Sequence, residues 1–297
     1  MDNSTDPDAR VRVFPIRRLP RRLRARPRFQ GQSFNRILPN LLTMTGLCAG
    51  LTSMRFALEG RFGTAAVAIV VAAIIDGLDG RLARLLKATS RFGAEFDSLS
   101  DFLCFGVAPG FVLYLWSLQA FGGFGYAPCV IFAVCMALRL ARFNAAIEGG
   151  PRPAYAYNFF TGVPAPAGAG LALFPLFVGL EARALGWDWL LAFARHPALC
   201  ATVLLGTALL SVSTLPVWSF KNFKIPTPYI LPLLIGVGLY LTLLLADPWA
   251  ALAAGGVIYL AMLPFSVRSY LRLKREAEAV RPDILAEIET GPARTGN

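Results

Sequence analysis

The chain of 297 residues is 56% hydrophobic and 16% charged, too apolar for a single soluble domain, whose apolar share is typically about 45 to 50%. Its formal charge of +11 admits nucleic acid as a partner in principle. The cations, however, fall where membrane topology and anionic headgroups account for them, so no nucleic acid is expected.

Residues 1–36 combine ten arginines with Pro7, Pro15, Pro20 and Pro27. Proline interrupts a transit helix, and no apolar core follows the basic residues before Leu41, which argues against a signal peptide. The segment reads as a basic cytoplasmic tail, largely disordered, with 34–38 as an interfacial stretch or a plain solvated arm. Apolar runs that approach or reach the length needed to cross about 30 Å of hydrocarbon then recur at 41–58, 62–82, 96–116, 128–143, 162–180, 199–215, 229–246 and 249–267. They predict an all-α polytopic membrane bundle of about eight transmembrane helices within 37–275. A polar cytoplasmic tail, 276–297, follows with a short helix. The fourth and sixth spans are short, so one of them is expected to be tilted, broken or partly interfacial.

An even number of spans puts both termini on one side, and the cations test that independently. Of the 29 Lys and Arg, only Arg55, Arg61, Arg183 and Arg195 face away from the termini. Positive residues stay cytoplasmic, so both termini and the even-numbered connections are expected there. Trp116, Trp187, Trp189, Trp218 and Trp249 sit at span ends and read as an aromatic belt. The five cysteines lie inside apolar spans without CxxC spacing and read as packing residues, not a disulfide framework or zinc site. His196 is the single histidine and falls in an exterior loop, so any metal here is held by oxygen.

Membrane helices avoid acids, yet Asp76 and Asp79 lie in the second span and Asp97 and Asp101 open the third. Each charge near a span centre costs roughly 2.5 to 3.5 kcal/mol on insertion scales, so four unpaired anions need compensation. Asp76, Asp79, Gly80, Ala83 and Arg84 fall at helical offsets that form one stripe, and Gly93, Asp97 and Asp101 form another. Facing each other across the short 87–92 connection, the stripes make a cluster of hard oxygen ligands suited to two bridged divalent cations, Mg2+ or Mn2+. Gly80, Ala83 and Gly93 leave room for a nucleotide against the backbone. The same acids also fit a proton relay, an ion pathway, or salt bridges to Arg81, Arg84 and Arg91.

Together these residues read Asp76-x-x-Asp79-Gly80-x-x-Ala83-Arg84, eight residues, Gly93-x-x-x-Asp97-x-x-x-Asp101. That resembles the signature of the CDP-alcohol phosphatidyltransferases at every fixed position. The resemblance implies a homodimeric helical enzyme of that fold, acting on CDP-diacylglycerol at the cytoplasmic face of a bacterial inner membrane. Asp76, Asp79, Asp97 and Asp101 would be metal ligands, and Asp101 also the catalytic base. Asp79, Gly80, Ala83, Arg84 and Gly93 would contact the CDP moiety.

A second resemblance, over most of 38–224, is to membrane-integrated phosphatidylserine synthases. It rests on Leu38-Pro39-Asn40-Leu41-Leu42-Thr43, the run from Phe96 to Asp101 continuing to Pro109, Arg139-Leu140-Ala141-Arg142-Phe143-Asn144, Phe160-Thr161-Gly162-Val163-Pro164 and Ser219-Phe220-Lys221. The sequence departs from that pattern at 214–218, where an expected arginine is missing. It implies L-serine as acceptor, with choline and glycerol 3-phosphate as alternatives and divalent-cation transport as a remote one. Serine carries a carboxylate that a guanidinium binds bidentately, making Arg142, with Arg139 and Asn144, the first candidates and Lys221 a weaker one; positive-inside anchoring explains these cations almost as well. Asn40 and Thr43 are candidates for hydrogen bonds to the diphosphate or cytidine, or for a helix cap. Residues 161–166 are expected to break or tightly turn the chain near the site.

Overall fold

A computed structural model describes residues 34–148, 159–218 and 227–290. The expected tail 1–33, Lys221 and the Ser219-Phe220-Lys221 element lie outside the described residues. Eleven helices run through the described chain. They are α1 (Phe34–Leu58), α2 (Phe62–Leu85), α3 (Arg91–Asp101), α4 (Ala108–Trp116), α5 (Ala127–Glu148), α6 (Ala165–Ala172), α7 (Phe174–Leu185), α8 (Asp188–Ala194), α9 (Pro197–Val212), α10 (Ile230–Ala246) and α11 (Pro248–Thr290).

Six stretches are long and apolar enough to cross a membrane: Ile37–Leu58, Phe62–Leu85, Arg91–Trp116, Leu118–Ala146, Thr227–Ala246 and Pro248–Glu276. Two further pairs, α6 with α7 and α8 with α9, are bent by 46° and 50°. Counting each pair as one span gives eight, and the chain is an integral membrane protein. The breaks fall in the fifth and sixth spans, not the fourth. Pro197 explains the second, because it disfavours helical geometry at His196, whose ψ is 124°. Pro175 starts α7 after a junction at Leu173. The fourth span is instead extended at its front by a 3-10 segment, Leu118–Tyr126, turned at Gly122.

Two connections are closed by glycine in the left-handed region. At Gly60 (φ +72) the Arg61 N–H returns to Phe56 O, and at Gly186 (φ +71) the Trp187 N–H returns to Ala182 O, the geometry that satisfies a helix's last carbonyls. The α2–α3 connection uses the same closure with Lys87 (φ 50) in place of glycine, a strained position beside the site. Residues 34–38 are helical and open α1. At the other end α11 continues without interruption to Thr290, so the tail expected from 276 begins as an extension of the last span.

Small residues let the helices approach, as membrane interfaces require. α1 lies along α2, and a Cβ at Gly46 would sit 3.3 Å from the Ile75 side chain. Phe105, Leu113, Phe132, Met136, Leu173, Leu176 and Leu204 fill the centre. α10 has no buried residue and presents leucines outward on all sides, as expected of a lipid-facing span. Trp187 and Trp189 are exposed, consistent with a belt. Trp116 is instead buried at 5% exposure against Gly179, and Trp249 stacks on Phe177. Trp218 lies in a two-stranded antiparallel ribbon. These three belong to the packing, because neighbouring elements close over the span ends.

That ribbon pairs β1 (Phe159–Thr161) with β2 (Pro216–Trp218). Gly162, at φ +76, turns the chain behind β1, and a Cβ there would stand 2.6 Å from Ser211 O. Segment 161–166 therefore does turn tightly, and glycine is required by both backbone and space. Pro216 O accepts a hydrogen bond from Ser266 of α11, so the divergent 214–218 segment joins the last span to the ribbon.

Candidate functional site

The acidic stripes are assembled by three helices. α1 packs along α2 and against α3, while the backbones of α2 and α3 stay largely apart. Across that gap Asp76, Asp97 and Asp101 bring one carboxylate oxygen each within 4.8 Å of one another. They line a cavity of about 10 Å3, together with Thr43, Asp79 and Ser100, room for about one water or ion. Asp79 stands apart from the trio. It is buried and accepts a 2.7 Å hydrogen bond from Thr43 Oγ1.

Asp79 and Asp97 also line a second, larger cavity of about 190 Å3 beside the first. Its other walls include Asn40, Thr43, Gly80, Ala83, Ser90 and Gly93, so the structure brings six of the seven nucleotide candidates to one cleft. Arg84 does not line it; its Nε donates to Gly80 O at 3.1 Å and its side chain is exposed. A Cβ at Gly80 would meet nothing within 4 Å, whereas one at Gly93 would lie 3.0 Å from Asn40 Oδ1 and 3.1 Å from Ser90 Oγ. Gly93 is thus a contact point between α1 and α3, next to the Ser90 cap on its own N–H, while Gly80 opens onto empty cleft. Gly80→Ala is therefore expected to leave the thermal unfolding temperature unchanged. Apparent affinity for a ligand lying on that surface should fall roughly tenfold, since overpacking costs about 1 to 3 kcal/mol. Parallel melting curves and ligand titrations check both halves.

α3 ends at Asp101 in a π-helical turn, Phe102–Val107, that leads to Pro109. Proline has no N–H for the preceding turn and crowds its carbonyl, and the wide turn absorbs the misfit. The result offsets the helix just after the last aspartate.

Electrostatics decide what the trio needs. Two unit charges 4.8 Å apart repel by about 3 kcal/mol at an effective dielectric near 20, so three ionised pairs approach the whole stability of a domain, about 5 to 15 kcal/mol. Among the described residues no salt bridge involves any of the four aspartates, which removes pairing with Arg81, Arg84 or Arg91 as the compensation. A small cavity lined by four carboxylates and the hydroxyls of Thr43 and Ser100, with the Cys104 thiol as its one sulfur and no nitrogen-bearing side chain among the described residues that line it, fits a hard divalent cation.

The acceptor candidates separate. Arg142 donates to three backbone carbonyls, Val212 (2.7 Å), Ser213 (3.0 Å) and Thr161 (3.3 Å), fastening the end of α9 to the ribbon. Asn144 donates to Ser98 Oγ, tying α5 to α3. Arg139 is buried, bonds Val163 O through Nε, and lies within electrostatic reach of both Asp101 and Tyr259. Tyr259 was not among the candidates. Its buried hydroxyl has no hydrogen-bond partner among the described residues, and nothing in the α11 sequence pattern marks it.

Residues 36–208 match the CDP-alcohol phosphatidyltransferase family, and residues 228–264 match CDP-alcohol phosphatidyltransferase 2. The chain is similar to the CDP-diacylglycerol--serine O-phosphatidyltransferase of Mycobacterium tuberculosis (strain ATCC 25618 / H37Rv), 39% identical over 249 residues that cover 82% of each protein. It is 37% identical to the enzyme of the same name from Helicobacter pylori (strain ATCC 700392 / 26695), over 75% of this chain and 88% of that one. A third relative is the archaetidylserine synthase of Methanothermobacter thermautotrophicus (strain ATCC 29096 / DSM 1053 / JCM 10044 / NBRC 100330 / Delta H), 35% identical over 44% of this chain and 54% of its own.

Proposed function

The chain belongs to the CDP-alcohol phosphatidyltransferase family, and from that premise we propose that it moves the phosphatidyl group of CDP-diacylglycerol onto the hydroxyl of L-serine, releasing CMP. The observation that carries this reading is the trio Asp76, Asp97 and Asp101 set beside a cleft floored by Gly80. The relatives named for serine supply the acceptor.

Asp76, Asp79, Asp97 and Asp101 would hold two divalent cations, Mg2+ or Mn2+, using both the small cavity and the adjoining cleft that Asp79 and Asp97 also line. Such ions, when bound, neutralise a diphosphate and the departing nucleotide. Gly80 and Ala83 let the CDP moiety lie against α2, and Thr43 fixes the Asp79 carboxylate. Asp101 accepts the proton of the serine hydroxyl as that oxygen attacks the phosphorus on the lipid side of the diphosphate, and the bond to CMP breaks in line. Arg139, between Asp101 and the unpartnered Tyr259 hydroxyl, suits the serine carboxylate better than Arg142, whose donors are occupied. The cation distribution supports a cytoplasmic position for this cleft and both termini, the bacterial relatives support an inner membrane, and the family resemblance supports a homodimer.

The test is acceptor choice. Membranes holding the protein and CDP-diacylglycerol are given radiolabelled serine, choline or glycerol 3-phosphate with Mg2+ or Mn2+. Serine-dependent CMP release is expected; release with choline or glycerol 3-phosphate in its place refutes the acceptor, and metal flux without any nucleotide requirement refutes the enzyme.

A further inference from the structure

A third cavity, about 420 Å3 in volume, lies at the other end of the bundle. Phe62, on its rim, starts the same continuous helix that carries Asp79, 17 residues or about 26 Å further along. The two cavities are therefore separated by nearly the full hydrocarbon thickness.

Three of the four cations on this face, Arg61, Arg183 and Arg195, line that one cavity, and among the described residues no acidic side chain does. Each comes from a different segment: the α1–α2 turn, α7, and the α8–α9 junction. Topology works against arginine on this face, and three like charges sharing a cavity repel one another, so their convergence calls for an anion. The site is also built. Arg195 donates through Nε to Trp116 O at 2.9 Å, and its own carbonyl accepts from Ser117 Oγ at 2.6 Å, leaving the terminal guanidinium nitrogens for a ligand. The Trp116 ring rests on Gly179, where a Cβ would stand 2.6 Å away. Arg183 has no side-chain hydrogen bond or ion pair among the described residues, whereas Arg61 is shared with Glu59 at 3.5 Å. Trp116, Phe62 and Leu180 form apolar walls beside the cations, and exposed Trp187 and Trp189 lie close in sequence. Guanidinium groups next to an apolar wall at headgroup depth match a phosphate with acyl chains attached.

We propose that this cavity binds the phosphate group of an anionic phospholipid from the leaflet opposite the aspartate cleft. The test uses the detergent-solubilised full chain and its Arg183→Gln variant. Unfolding temperature is followed as dioleoylphosphatidylglycerol, dioleoylphosphatidylcholine or inorganic phosphate is added. Arg183 holds nothing together in the structure, so both proteins should melt together without ligand. Phosphatidylglycerol should raise the wild-type midpoint by about 4 °C or more at saturation, and the variant should need roughly tenfold more lipid. Arg195→Lys, which keeps the charge but loses the fork, should fall between them. A rise with inorganic phosphate that also depends on Arg183 supports the anion site and assigns it to a soluble ligand. Equal responses in wild type and variant, a response to phosphatidylcholine as large as to phosphatidylglycerol, or no response to any probe overturns the proposal.

Discussion

Asp101→Asn should lower turnover by at least about a thousandfold while leaving the protein folded. The amide is isosteric, so the π turn that follows position 101 is undisturbed. What disappears is the carboxylate that we propose accepts the acceptor's proton, a role typically worth about 10^2 to 10^4 in rate, along with one of three oxygens that meet within 4.8 Å. The same substitution carries a thermodynamic signature that loss of activity alone would not. In the presence of chelator the variant should melt at or above wild type, because removing a carboxylate relieves repulsion wherever the three are ionised, by up to about 3 kcal/mol per pair. With saturating Mg2+ or Mn2+ the order should reverse, since only the intact trio gains fully from cation binding. Melting curves at both metal conditions, beside CMP-release rates, read this out. A variant that melts below wild type in chelator would show that the trio is not the electrostatic burden described here.

Arg142→Ala should cost stability, not acceptor affinity. Its guanidinium supplies hydrogen bonds to the part-buried Val212 and Ser213 carbonyls and to the exposed Thr161 carbonyl. Water replaces part of what is lost, so the three bonds together are worth about 2 kcal/mol from a total of about 5 to 15. A drop of roughly 4 to 8 °C in unfolding temperature is therefore expected. If Arg142→Ala instead melts normally but loses saturation by serine, the arginine is an acceptor ligand and the assignment to Arg139 falls.

Much of this was legible in the chain itself because membrane insertion is a local property. A hydropathy window of about 20 residues decides whether a segment crosses, so the fold class and five of the eight spans emerged to within five residues, while the fourth, sixth and eighth each run nine to eleven residues further at one end. Acids are costly in such windows, and a 3.6-residue period places Asp76 with Asp79 and Asp97 with Asp101 on common faces. The aspartates were consequently visible before any coordinates.

Contacts between distant segments are not local, and there the tertiary structure decided. No pattern in α1 says that Thr43 holds Asp79 or that Asn40 presses on Gly93; those pairings exist because α1 packs on both acidic helices. Arginines 139 and 142 share a helix face and a composition, yet one lies near Asp101 and the other fastens a ribbon, a distinction made by where α9 ends. Four far-face arginines could be counted from topology, but only the meeting of three separate segments puts three of them in one cavity. Periodicity and transfer energy are carried by each stretch of chain alone, whereas a partner's identity depends on how those stretches pack.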